Sequence, residues 1–193
     1  MSVKRSNFVV GIDYAKESRQ VGMDYAINAM NNMILTNEQI EARVARAMDL
    51  FRQGFNCSQS VFASVADLYG IADEALALRL SASFGGGIGR MRQTCGAACG
   101  MFLLAGLENG SATAGDAEGK KQNYALVQQL AAVFRKEHGS LICSELLGLA
   151  PRQQQPSDPT PAPRTEEYYK KRPCVEMVGN AVRIYLETLN TQA

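Results

Sequence analysis

The chain has 193 residues, 46% of them hydrophobic, enough for a real core, but with no tryptophan and only 7% aromatics. Twenty basic residues against nineteen acidic give a net charge of +1, which excludes a nucleic-acid surface or a dedicated anionic-membrane surface. The longest nearly apolar stretch, Ala97 to Leu107, falls short of the roughly 20 residues a bilayer span needs, so it reads as a buried helix.

At the N-terminus the apolar run Phe8 to Ile12 is cut by Asp13, too soon for a signal peptide, and a cytoplasmic protein is expected. Residues 1–35 form an appendage, with a helix over Tyr14 to Met33 as its candidate element and Phe8 to Ile12 as the one candidate strand. The unit that follows, 36–193, is expected to be a single helical thiol domain.

Thr36 to Gln39 reads as a capping box opening a helix with Ile40, Val44, Met48 and Phe51 on one stripe and Gly54 at its end. Asn56 caps a second helix, carrying Val61, Val65 and Leu68 inward to Gly70. Asp73 to Ser83 is a third. The glycine-rich FGGGIGRMRQT follows, and Thr94 is a cap for a helix from Cys95 to Leu107. After a connector at Gly115 to Gly119, a helix over about Gln122 to Glu137 buries Leu126, Leu130, Val133 and Phe134, with Gly139 as its stop. Ser140 caps a short helix through Leu147. Residues 151–163 hold five of the six prolines and a Gln run, an irregular excursion. A last helix starts at Pro173 and carries Val178, Val182, Tyr185 and Leu189 inward. The fold class is all-α, an irregular bundle of about six or seven helices around a glycine-rich loop.

Four of the five cysteines fall in the first turn of a helix: Cys57, Cys95, Cys143 and Cys174. A helix N-terminus favours thiolate over thiol, and the thiolate is both the nucleophile and the metal ligand. Arg90 and Arg92 before Cys95, and Lys170, Lys171 and Arg172 before Cys174, push the same way if they fold towards the thiols. No CxxC is present, which excludes a thioredoxin motif and a zinc ribbon, so any site is assembled from distant segments. Cys99, one turn after Cys95, is a small core residue or at most a secondary ligand. Gly86, Gly87 and Gly89, with Gly96, are candidates to line the site. The loop has neither the GK[ST] signature nor the preceding strand of a phosphate loop. His138, the one histidine, sits at a helix end where a cation complements the dipole.

The blocks GFNCSQSVF, FGGGIGRMRQTCGAACG, FRKEHGSLICSELLG and RPCVEMVGNAV, in this order over about Met48 to Leu186, closely resemble the C-GCAxxG-C-C family of redox-active proteins. On that resemblance the hallmark cysteines are Cys57, Cys95, Cys143 and Cys174, and the CGAxxG motif falls on Cys95, Gly96, Ala97 and Gly100, with Cys99 at a variable position. The resemblance implies a redox or metal role, mostly in bacteria and archaea and often near transport genes, without a known reaction.

Three functions follow as expectations. The first is thiol–disulfide exchange or electron transfer with a partner protein or small thiol, an oxidoreductase activity on thiols and disulfides if the protein is an enzyme. The second is a four-cysteine site for an iron–sulfur cluster or zinc, held by Cys57, Cys95, Cys143 and Cys174. The third is a non-enzymatic helical accessory module, linked to a transport system, with packed cysteines. The distances among the four sulfurs discriminate them.

Overall fold

The computed structural model describes residues 34–150 and 159–192. The expected helix over Tyr14 to Met33, the strand candidate and the first part of the Pro/Gln excursion lie outside the described residues. Eight α-helices follow one another: α1 (Asn37–Arg52), α2 (Cys57–Ala63), α3 (Glu74–Ser81), α4 (Gly96–Asn109), α5 (Ala117–His138), α6 (Cys143–Leu146), α7 (Glu166–Lys170) and α8 (Cys174–Asn190). Among the described residues the only extended pairing is an isolated bridge between Thr94 and Ile142.

The caps show why these segments are helical. Thr36 and Gln39 close the capping box on α1, and Asn56 and Gln59 close a second one on α2. Asp73 and Asp116 cap α3 and α5. Gly139 takes the left-handed conformation that ends α5. The core stripe predicted for α8 is in place: Val178, Val182 and Tyr185 are fully buried, against Val44 and Phe51 of α1 and Leu104 of α4 in the same cluster. Bidentate Arg183–Glu41 and Arg43–Asp67 pairs tie α1 to its neighbours at the surface. Inside, Tyr69 and Tyr185 share a hydrogen bond, Tyr69 also donates to Glu108, and Tyr185 donates to the Leu104 carbonyl at 3.2 Å.

Several boundaries differ from the sequence reading. The second helix stops at Ala63 and resumes as a 3-10 turn over Ala66–Tyr69. The third stops at Ser81 and passes into a 3-10 turn over Ala82–Phe84. The fifth begins at Ala117, because Asp116 caps it by accepting from the Gly119 amide at 2.9 Å, so Gly119 belongs to the helix rather than to a connector. Inside 151–163, only residues from Pro159 on are described, and they run irregularly into α7, a short helix capped by Thr165 that propensity alone did not suggest.

Three caps expected beside cysteines also move. Thr94 does not cap α4; Cys95 itself occupies that position, because the Thr94 backbone is engaged in the bridge to Ile142. Ser140 stands two residues ahead of the α6 cap, Ile142, and accepts from the Ile142 amide at 2.9 Å. Pro173 is the cap of α8 rather than its first residue, which leaves Cys174 first.

Candidate functional site

Two devices set Cys57, Cys95 and Cys143 near one another. The first is a pair of glycines on α4. A Cβ on Gly96 would stand 3.1 Å from the Cys57 Cβ, and one on Gly100 would stand 2.7 Å from the Val61 Cβ. Four residues apart on one helix face, they let α2 approach the α4 backbone, which sets Cys57 beside the start of α4. This gives Gly96 and Gly100 of the CGAACG segment a packing role.

The second device is the bridge between residues 92–95 and 141–144. The Cys95 amide donates to the Leu141 carbonyl and the Cys143 amide to the Gln93 carbonyl, both at 2.7 Å, and the Ser144 amide donates to Arg92 at 3.2 Å. Cys95 and Cys143 are thereby held by reciprocal backbone bonds. Gly87 lies directly against Cys143, where a Cβ would come within 2.6 Å of the Cys143 Cβ.

The loop between them is unusual. Gly86, Gly87, Ile88, Gly89 and Arg90 all have positive φ, as does Arg92. Left-handed backbone suits glycine but costs other L-residues about 1–2 kcal/mol each, and for β-branched Ile88 it is an outlier. The left-handed coil is held by amide bonds such as Gly89 to Ser83 at 2.7 Å and Gln93 to Gly87 at 3.0 Å. Its effect is to bring both Arg90 and Arg92 to the wall of one cavity.

That cavity has a volume of about 280 Å³. Cys57, Cys143 and Cys174 line it, as do Gly86 and Gly89. Gly87 and Gly96 stand behind the thiols rather than in the wall. Four arginines complete the lining: Arg90, Arg92, Arg164 and Arg172. Arg164 and Tyr168 come from the segment after the prolines. The sequence reading missed them, although an arginine just ahead of the Thr165 cap was a usable signal. Lys170 and Lys171, expected to act on Cys174, pair instead with Glu166 and Glu167 one turn back.

The thiols are not equivalent. Cys57 and Cys174 are joined by a side-chain hydrogen bond across the N-termini of α2 and α8. That bond, with the positive charges of Arg172, Arg164 and Arg92, outweighs burial and brings Cys174 down to about 7. Its partner Cys57, which keeps the proton, is pushed well up by the same bond and by burial. Asn56 satisfies the Ser58 and Gln59 amides of α2, whereas Pro173 offers α8 no side-chain cap.

The other thiols depart from the expectation that a helix start lowers them. Burial dominates at Cys95 and pushes it up to about 12, with the Ala97 and Ala98 amides opposing. Burial also raises Cys143, although Arg92 stands 4.0 Å from its sulfur and opposes the rise. Desolvation of a buried charge exceeds what a short helix end supplies. Arg92 faces Cys143 and Cys174, not Cys95 as expected.

Cys99 points elsewhere. Its thiol donates to the Thr94 carbonyl at 3.8 Å, lines a separate cavity with Phe84, Ile88 and Phe102, and is pushed up to about 11 by burial. His138 stacks on Phe134 at 4.5 Å with its Nε2 buried and unpartnered. It lies in the last turn of α5, as expected, and burial lowers its pKa.

For the expected four-cysteine centre, the sulfurs are not gathered as a ligand set: among the described residues no group of three or more His, Cys, Asp or Glu side chains could hold a metal ion. Cys57 and Cys174 form one contact pair, Cys143 turns to Arg92, and Cys95 lies outside the cavity wall. Also among the described residues, no helix is long and apolar enough to cross a membrane.

No curated protein and no solved structure matches the chain. Residues 55–188 match the family described as "Putative redox-active protein (C_GCAxxG_C_C)", a span that runs from just before Cys57 to beyond Cys174 and takes in every residue lining the cavity. The helical fold, the four cysteines brought to one region and that match agree, and the chain belongs to the C_GCAxxG_C_C family of redox-active proteins.

Proposed function

We propose that the protein carries out thiol–disulfide exchange through Cys174 as the attacking thiolate and Cys57 as the resolving thiol. The observation that supports this reading is the hydrogen-bonded Cys57–Cys174 pair on the wall of an arginine-lined cavity. A nucleophile poised near neutral pH beside a second thiol has what a dithiol oxidoreductase needs.

The Cys174 thiolate attacks one sulfur of a substrate disulfide, that S–S bond breaks, and one half leaves as a thiolate. The Cys57 thiol then loses its proton to solvent or to the departing thiolate and attacks the Cys174 sulfur, which releases the second half. Two electrons pass from the protein dithiol to the substrate, and the protein ends as a Cys57–Cys174 disulfide. A dithiol reductant, small or protein-borne, restores it. The Cys57 thiol and the charges of Arg172, Arg164 and Arg92 hold the attacking sulfur as thiolate, and Gly96 lets Cys57 sit close against the start of α4.

Mild oxidation followed by peptide mapping under non-reducing conditions tests this. The expected product is a Cys57–Cys174 disulfide, and a Cys57→Ser variant should stop at a mixed disulfide on Cys174. Oxidation that links other cysteines, or leaves all of them free, overturns the assignment.

A further inference from the structure

The cavity carries a charge pattern that thiol exchange by itself does not require. Four arginines line it, and among the described residues no Asp or Glu does. Among the described residues none of the four forms an ion pair, while other arginines of the chain, such as Arg43 and Arg183, are paired bidentately. Among the described lining residues only the Cys174 thiolate stands against these four positive charges, in a protein whose net charge is +1. Concentrated like charge in a concave site focuses the field and favours an anionic occupant.

The arginines are also positioned. Arg164 lies over Phe51 at 4.4 Å and over Tyr168 at 4.6 Å, and its Nη2 donates to the Phe55 carbonyl at 3.1 Å. Its Nη1 is buried and has no partner. Arg172 stands over the same Tyr168 ring at 4.6 Å, so two guanidinium groups share one aromatic surface without an intervening carboxylate. Arg90 sits in left-handed backbone at φ 67°, a conformation that disfavours arginine and that persists only where the surrounding structure imposes it. Guanidinium forks suit carboxylates and phosphates bidentately. At about 280 Å³ the cavity is of small-molecule size, and Cys174 is only 9% exposed, within reach of a narrow group rather than a broad protein surface.

We propose that the cavity selects a small disulfide carrying two or more negative charges, and that Arg90, Arg164 and Arg172 are its specificity-determining residues. This rests on the exchange proposed above. A bound dianion offsets the surplus positive charge and places its S–S bond beside Cys174. Exchange then proceeds as before: Cys174 bonds to one sulfur, the S–S bond breaks, Cys57 resolves the mixed disulfide, and two electrons reach the substrate as it leaves in two anionic thiol halves.

The test uses three aliphatic disulfides of similar size: dithiodipropionate (a dianion), bis(hydroxyethyl) disulfide (neutral) and cystamine (a dication). The rate of Cys174 oxidation by each is divided by that disulfide's rate with a free small thiol, which removes intrinsic reactivity. The expected dianion-to-neutral ratio is about tenfold or more, the dication reacts more slowly than the neutral compound, and added potassium chloride shrinks the ratio by screening. In Arg172→Gln and Arg90→Gln the ratio falls about threefold or more each, and because it compares two substrates on one enzyme, any change in thiolate fraction cancels. Thermal unfolding of both variants confirms that they are folded, and Arg164→Gln replaces either one if it is not.

A dianion no faster than the neutral disulfide, or a ratio that none of these variants moves, overturns the selectivity while leaving exchange intact. If none of the three disulfides oxidises the Cys57–Cys174 pair, both proposals fall.

Discussion

The acidity of Cys174 can be read directly from alkylation. Iodoacetamide reacts with thiolate, so the rate at Cys174, followed peptide by peptide in a mass spectrometer over a pH series, should rise through a midpoint at about 7 and then level off. The sign follows from the charges: the Cys57 hydrogen bond and three arginines favour the anion, so Cys174 loses reactivity only as pH falls through that midpoint. At pH 7 about half of Cys174 is thiolate, against about 1% for a thiol at the ordinary 9.0, a gain of roughly fiftyfold. A thiolate two pKa units less basic is intrinsically slower by roughly eightfold at a Brønsted slope of ~0.45. The net expectation at neutral pH is a rate about sixfold above an ordinary thiol, before steric shielding. Steric shielding scales the whole profile and leaves its midpoint in place. Cys57→Ala removes the donor and should move the midpoint upward, towards the alkaline range. A midpoint near 9 in the wild type, or one unmoved in Cys57→Ala, refutes the claim that this hydrogen bond makes Cys174 the nucleophile.

Two further outcomes test the scaffold. In Gly100→Ala the new methyl would stand 2.7 and 2.8 Å from Val61 and 3.2 Å from the Ser58 carbonyl, neither able to step aside. The gain in helix propensity of about 1 kcal/mol is outweighed by overpacking, so denaturant unfolding should show a net loss of about 1–2 kcal/mol, and a stabilised variant would contradict the close α2–α4 approach. Arg90→Gly should raise stability by up to about 1 kcal/mol, by relieving the left-handed backbone at φ 67°. An unchanged or lower unfolding midpoint would mean that the loop bears no strain there.

Local signals were legible because they act within a few residues. The capping box at Thr36 and the cap at Asn56 are written in a few consecutive positions, and the α8 stripe in a 3.6-residue period, so all three appear in the fold as read. The same locality put Cys57, Cys143 and Cys174 at first helical positions and left Cys95 one residue ahead of α4. The caps at Thr94 and Ser140 were misplaced for the opposite reason: the bridge between residues 92–95 and 141–144 joins segments distant in sequence and takes over their backbone groups. Arg164 could be suspected from its place just ahead of the Thr165 cap, but its seat over Phe51 depends on where an irregular segment crosses α1.

That this protein is helical, and that four thiols stand at helix starts, was already written in the order of its residues, since propensity, capping and period are properties of neighbours. The same order marked the glycines that let backbone approach. Which thiol is the anion emerged only with the packed fold. A helix end acts on every first-turn cysteine alike, but burial raises Cys95 and Cys143, while Cys174 alone meets a donating thiol and three guanidinium groups. Charge and hydrogen bonding act through space, and the distances that set their strength exist only once the chain has folded.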